Sequence, residues 1–315
     1  MPVNPRIFLF LLFALVAGPA AADDCKLQQA ASFDVVIDSN GVAVPATVEG
    51  RSGYFLLDLN ASYSQFSKPA AETLRLRMMP TKWDSLYVAY GHEVVKAVNP
   101  TVHFGNAAVQ ISAAVVSPPW QDNPALLGVL GRDFLWRYDV ELDLAHNKVN
   151  LFSQDHCDGK VVYWTTTAPV AAIPYVFPHV RLFMINQAQF TIPMKLDGKD
   201  VKGEITLAPT DTIFPDAVRD RFGMDAAARS LTFKSLELDG ILISNPKFNV
   251  LQVDPETGCD PAMTEPYNSE APSTAKITSC TSSCDIQLAV PELRKLRMFL
   301  AFRENKLYAT AADAN

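Results

Sequence analysis

The segment Tyr54-Phe55-Leu56-Leu57-Asp58-Leu59-Asn60-Ala61-Ser62-Tyr63-Ser64 sets one carboxylate between an apolar run and a small polar turn. An ionisable group in such surroundings is costly unless it is hydrogen-bonded or put to use. There it can cap the turn, or it can act as a general acid or base. The same plan returns further along the chain. Sliding the sequence by 148 residues brings Val44-Pro45 onto Ile192-Pro193, Gly50 onto Gly198, Ser64 onto Thr212 and Phe66 onto Phe214, and Asp58 then falls on Thr206. At an offset of 158, Leu130-Gly131 meets Leu288-Ala289, Leu135 meets Leu293, and Asn147-Lys148-Val149 meets Asn305-Lys306-Leu307. The chain reads as a tandem duplication whose second copy has diverged.

Other chemistry-bearing residues form no comparable pattern. The five histidines, His92, His103, His146, His156 and His179, are scattered, with no His-Glu-x-x-His spacing, and read as surface or satisfied core residues. There is no Gly-x-Ser-x-Gly elbow and no phosphate-cradling glycine loop. Of the five cysteines, Cys25 can join Cys157 across the first copy, and Cys259 can join Cys280 or Cys284 in the second, with one thiol left over. A metal site at Cys280 and Cys284 is disfavoured because no second ligand pair has zinc-like spacing. No metal and no cofactor is expected.

The pattern apolar-apolar-Asp58-x-x-Ala61-Ser62-x-Ser64, followed by Gly128-Val129-Leu130-Gly131-Arg132-Asp133-Phe134-Leu135, resembles the retropepsin-like aspartic proteases, particularly bacterial secreted members with two lobes. The resemblance covers nearly all of the chain after its first residues. It implies an all-β fold with a few short helices, built as two tandem retropepsin-like β-barrel lobes in a pepsin-like bilobal architecture. In that family each lobe contributes one Asp to a pair that shares a proton and activates water. Here the first motif is Asp58-Leu59-Asn60-Ala61 and the second is Thr206-Leu207-Ala208-Pro209. Only Asp58 keeps the family type, and Thr206 cannot carry charge. Leu59 and Leu207 lack the hydroxyl that ties the two loops together in the family, so that tie is expected to be lost. Asn60 replaces a glycine and tolerates positive φ better than most residues, whereas Ala208 does not. Without a partner, Asp58 is expected to titrate near the ordinary value of about 3.9, subject to burial. Asp211 is the one nearby alternative acid, and a dimer bringing two first lobes together is another route to a pair.

These residues need elements to hold them. From Phe33 to Leu57 apolar and polar residues alternate around Asn40-Gly41 and Gly50-Arg51-Ser52-Gly53, which predicts antiparallel hairpins ending at Asp58. Lys68 to Leu74 reads as a short helix with Pro in its first turn. A hairpin from Leu86 to Val95 has its tip near Tyr90-Gly91, and the resemblance makes it the flap that closes over bound peptide. Leu126 to Gly131 reads as a buried strand under the Asp58 turn, with Gly131 allowing close approach. Asp139, Glu141 and Asp143 alternate with Val140, Leu142 and Leu144 and are read as a solvated strand face. In the second copy nothing of flap size lies between Met224 and Leu231.

Residues 1–22, with Arg6, an apolar run of about 11 residues and Ala20-Ala21-Ala22, read as a secretory signal peptide too short to span a bilayer. The first lobe is expected over 23–160, a linker over 161–180, and the second lobe over 181–315, interrupted by a Pro-, Ser-, Thr- and Cys-rich loop over 254–285. The formal charge of −7 without a basic block argues against nucleic acid. The expectation is a periplasmic or secreted protease homologue, inactive or strongly impaired, with Leu59, Asn60, Ala61, Thr206, Leu207 and Ala208 beside Asp58 in an inter-lobe cleft for peptide or unfolded protein. The alternatives are a working aspartic endopeptidase and an envelope scaffold module.

Overall fold

In a computed structural model, the described residues are 26–61, 63–80, 86–88, 91–93, 96–117, 123–175, 190–225, 227–251 and 284–314. The signal segment, Cys25, Ser62, Tyr90, and all but the last two residues of the 254–285 loop lie outside them. The fold is all-β with a few short helices, and its two halves repeat one plan. In the first, Gly41–Val48 and Arg51–Leu57 form a hairpin, with Ala43 opposite Leu56. Arg51–Leu57 then pairs in parallel with Leu126–Leu130, which pairs on its other side, antiparallel, with Gln65–Ser67. The second half does the same with Thr191–Leu196, Lys199–Ile205, Ile286–Leu288 and Thr212–Ile213. The strands beginning at Ser230, Ser235, Ile241 and Lys247 match those beginning at Lys96, Thr101, Ala107 and Ala113 at an offset of about 134. The second copy is thus shorter before these strands, in the interval where the first carries the Leu86–Val88 and Gly91–Glu93 hairpin.

Side-chain chemistry explains the local choices. Ser67 caps the Lys68–Thr73 helix by accepting the Ala70 N–H, with Pro in the first turn. The short helices Arg132–Leu135 and Val290–Leu293 follow the two buried strands at equivalent places. The latter begins at Val290, where Pro291 fits a first helical turn.

A third sheet joins the halves. Its order is Gln29–Asp34, Lys148–Phe152, Asp139–Asp143, Leu296–Ala301, Lys306–Ala311 and Ala171–Pro174. At its centre Val140 faces Leu300, Glu141 faces Phe299 and Leu142 faces Met298. Glu141 and Phe299 are themselves equivalents at the 158 offset, so the local two-fold axis passes through this pair. The acidic alternation of Asp139, Glu141 and Asp143 is not a solvated face: all three are buried. His156, Tyr163 and Arg297 cover it. His156 Nε2 lies 2.5 Å from Asp139 Oδ2, and Glu141 accepts from Asn150 Nδ2 at 2.8 Å, Tyr163 Oη at 2.7 Å and Arg297 Nε at 2.7 Å. One continuous apolar core runs through both halves. Among the described residues, no helix is long and apolar enough to cross a membrane.

Candidate functional site

The two motif turns are built alike from backbone outward. The N–H of Asp58 donates to Leu130 O at 3.0 Å, and that of Thr206 donates to Leu288 O at 3.0 Å. Asp58 Oδ1 accepts the N–H groups of Asn60 at 2.8 Å and Ala61 at 3.1 Å, while Thr206 Oγ1 accepts the Ala208 N–H at 3.3 Å. The Thr206 hydroxyl therefore stands where the first turn has its carboxyl group. Asp58 is half-buried. Its carboxyl lies above the ordinary carboxylate range, rather than near it, because burial outweighs the two amide bonds and the nearby Arg132 charge.

Behind each turn sits a polar buttress, and the two differ. Ser64 Oγ accepts the Gly131 N–H at 3.1 Å and donates to Asp133 Oδ1 at 2.8 Å, while the Ser64 N–H donates to the same oxygen at 2.7 Å. A Cβ on Gly131 would lie 2.7 Å from the Tyr63 carbonyl carbon, so only glycine permits this approach. In the second half Asp211 Oδ1 alone accepts the Ala289 N–H, at 2.6 Å. Asp211 is 2% exposed, and burial with the neighbouring Glu292 charge pushes it up to about 7. Its Oδ1 holds the Ile286–Leu288 strand to the turn, its Oδ2 is buried without a hydrogen-bond partner among the described residues, and Asp58 is not among the groups that act on it.

The tie between the turns survives in another form. Asn60 Nδ2 donates to Ile205 O at 3.2 Å, and Asn60 Oδ1 accepts the Phe190 N–H at 3.4 Å. The amide at the third motif position thus bridges the halves in place of a hydroxyl at the second. Neither Asn60 nor Ala208 has a positive φ, so conformational tolerance is not what Asn60 supplies. Leu59 and Leu207, 2% and 3% exposed, belong to the continuous core. A second link comes from Val42, whose N–H donates to Leu207 O at 3.3 Å. It requires glycine at position 41, where φ is 119° and a Cβ would meet Leu207 O at 2.5 Å.

Sequence reasoning missed Glu204. It is 2% exposed, and its Oε2 accepts from Gln287 Nε2 at 3.0 Å and Cys284 Sγ at 3.4 Å. Burial, opposed by these two bonds and aided by the Asp58 charge, pushes it up to about 7. Cys284 is a buried thiol in no disulfide, which removes it as a partner for Cys259. The signal was present in the 148 offset, which sets Glu204 on Leu56, but attention to the motif residues alone passes over it. The proposed flap strands are paired, with Val88 opposite Gly91, and Tyr90 lies outside the described residues. Among the described residues no group of three or more His, Cys, Asp or Glu is arranged to hold a metal.

No family model matches the chain, and no curated protein sequence does. A solved structure does. It is Basic 7S globulin from soybean, 12% identical, with a TM-score of 0.49 over 92% of this chain and 96% of that one.

Proposed function

We propose that this is an exported, bilobal aspartic-protease-like protein without effective proteolysis, which binds an extended peptide or unfolded segment between its lobes. The observation that carries the reading is Thr206, whose hydroxyl occupies the place that mirrors the Asp58 carboxyl. A hydroxyl cannot share a proton with Asp58 across the axis in the way two carboxyl groups do. The placement of Asp211 supports it too, since its Oδ1 holds the Ala289 N–H behind the second turn and Asp58 is not among the groups that act on it. The Leu86–Glu93 hairpin is the part that would close over the peptide. The apolar first segment with its Ala20-Ala21-Ala22 end supports export. The disulfide expected between Cys25 and Cys157 would suit an oxidising compartment such as the periplasm.

The test is incubation of purified protein and its Asp58→Asn variant with a pooled peptide library from acid to neutral pH, read by mass spectrometry for cleaved and for retained peptides. Retention without cleavage in both proteins is expected. Cleavage abolished by Asp58→Asn would replace this reading with a working endopeptidase. A scaffold module is the second reading, favoured by the burial of Leu59 and Leu207 in one core, and neither cleavage nor retention would select it.

A further inference from the structure

The duplication supplies its own control for interpreting the second lobe. Next to the Asp58 turn, Ala43, Leu56, Leu126 and Val129 form a small apolar cluster, with Tyr54 and Ala61 packed on it. Their equivalents at the 148 and 158 offsets are Thr191, Glu204, Cys284 and Gln287. The registers agree. Leu56 lies between Ala43 and Val129, and Glu204 lies between Thr191 and Gln287. All four positions are apolar in one lobe and carry a polar or thiol group in the other. In the second lobe Gln287 and Cys284 both donate to Oε2 of Glu204, and no described donor reaches its Oε1. A carboxyl group 2% exposed is costly for a lobe whose twin manages with leucine.

A second observation links the strand that carries this group to the Asp58 turn. Asn60 Nδ2 bonds the carbonyl of Ile205, the residue after Glu204, and the Asp58 charge acts on Glu204. Arg132 offsets Asp58, but no described cation acts on Glu204. Two carboxyl groups, one from each lobe, therefore lie close enough at the junction for their charges to interact, and of the two only Asp58 is offset by Arg132.

Resting on the peptide-binding reading above, we propose that Asp58 and Glu204 form a recognition site for a single basic side chain, the ammonium of a lysine or the guanidinium of an arginine in the bound segment. The ligand reaches the pair from the side of half-buried Asp58. Its N–H groups donate to Glu204 Oε1 and Asp58 Oδ2, the oxygens not engaged by Gln287, Cys284 or the turn amides. Charge-assisted bonds in a site this dry are strong, and an acidic side chain there is repelled.

The experiment measures binding of two labelled peptide pools to the full protein near neutral pH by fluorescence anisotropy. The pools are identical except that norleucine and citrulline replace lysine and arginine in the second. The basic pool is expected to bind at least about tenfold more tightly. Glu204→Leu, which installs the residue of the twin position, is expected to bring the difference within about twofold while the thermal midpoint holds or rises. Equal binding of both pools, or a preference that Glu204→Leu leaves intact, overturns the site while peptide binding stands. If neither pool binds, the peptide reading falls. Arginine amide alone then decides the site, read through the Glu204 carboxyl carbon shift and assigned with the same variant: movement supports it and none overturns it.

Discussion

A single amide side chain carries much of the connection between the motif turns. Replacing Asn60 by Ala removes both of its bonds and leaves the Ile205 carbonyl and the Phe190 N–H without that partner. The expected loss is about 1–3 kcal/mol, seen as a lower denaturation midpoint. Asn60→Asp should be worse, because it keeps the acceptor, loses the donor and adds charge beside Asp58 and Glu204. The pairing of Asp58 with Thr206 was legible in the sequence, because it needs only a constant offset. The Asn60 bridge was not, because which atom a side chain meets across a lobe boundary is a property of the docked halves. Family logic had placed the tie at Leu59 and Leu207, and both instead extend the core.

Individual strands and turns differ in what they tolerate. A Cβ on Gly128 would lie 1.9 Å from the Gln65 carbonyl oxygen, in the buried strand beneath Asp58. Gly128→Ala is therefore expected to cost more than about 3 kcal/mol or to prevent folding. Gly198→Ala, in an open turn with φ at 75°, should cost only about 1 kcal/mol, and urea unfolding compares the two. The Asp211 buttress makes the second lobe sensitive to pH. Its folded carboxyl titrates at about 7 against 3.8 ordinarily, so the native state holds a proton that the unfolded chain releases. Its stability is greatest below about 3.8 as far as this group is concerned, falls as pH rises toward 7, and is lower by about 4 kcal/mol above that. Glu204 adds a slope of the same sign. Asp211→Asn should flatten this fall, and adding Glu204→Gln should flatten it further, as measured by unfolding across that range. Hairpins, the capped helix and the glycine-punctuated strand were legible from alternation and turn residues. The Asp139–Asp143 strand was misread, because alternation shows that two faces differ without showing whether a later segment covers the polar one.

The whole molecule is held by the shared six-stranded sheet, in which Asp139–Asp143 and Leu296–Ala301 are the inner neighbours. Cutting the chain between the lobes would expose a full row of unpaired backbone groups and the apolar faces of Leu142, Met298 and Leu300. Residues 26–160 expressed alone are expected to aggregate, whereas co-expression with the remaining segment should recover soluble complex, as size-exclusion chromatography would show. The central pair of that sheet also bears on ancestry. Glu141 and Phe299 hold equivalent places in the two copies, and they differ where each faces the other. Arg297, seated over Trp164 at 4.6 Å, supplies the cation that Glu141 needs. Two first lobes brought together would set Glu141 against Glu141 with no such arginine from the second lobe. Having specialised at its own mirror, the first half is therefore ill suited to pairing with a second copy of itself.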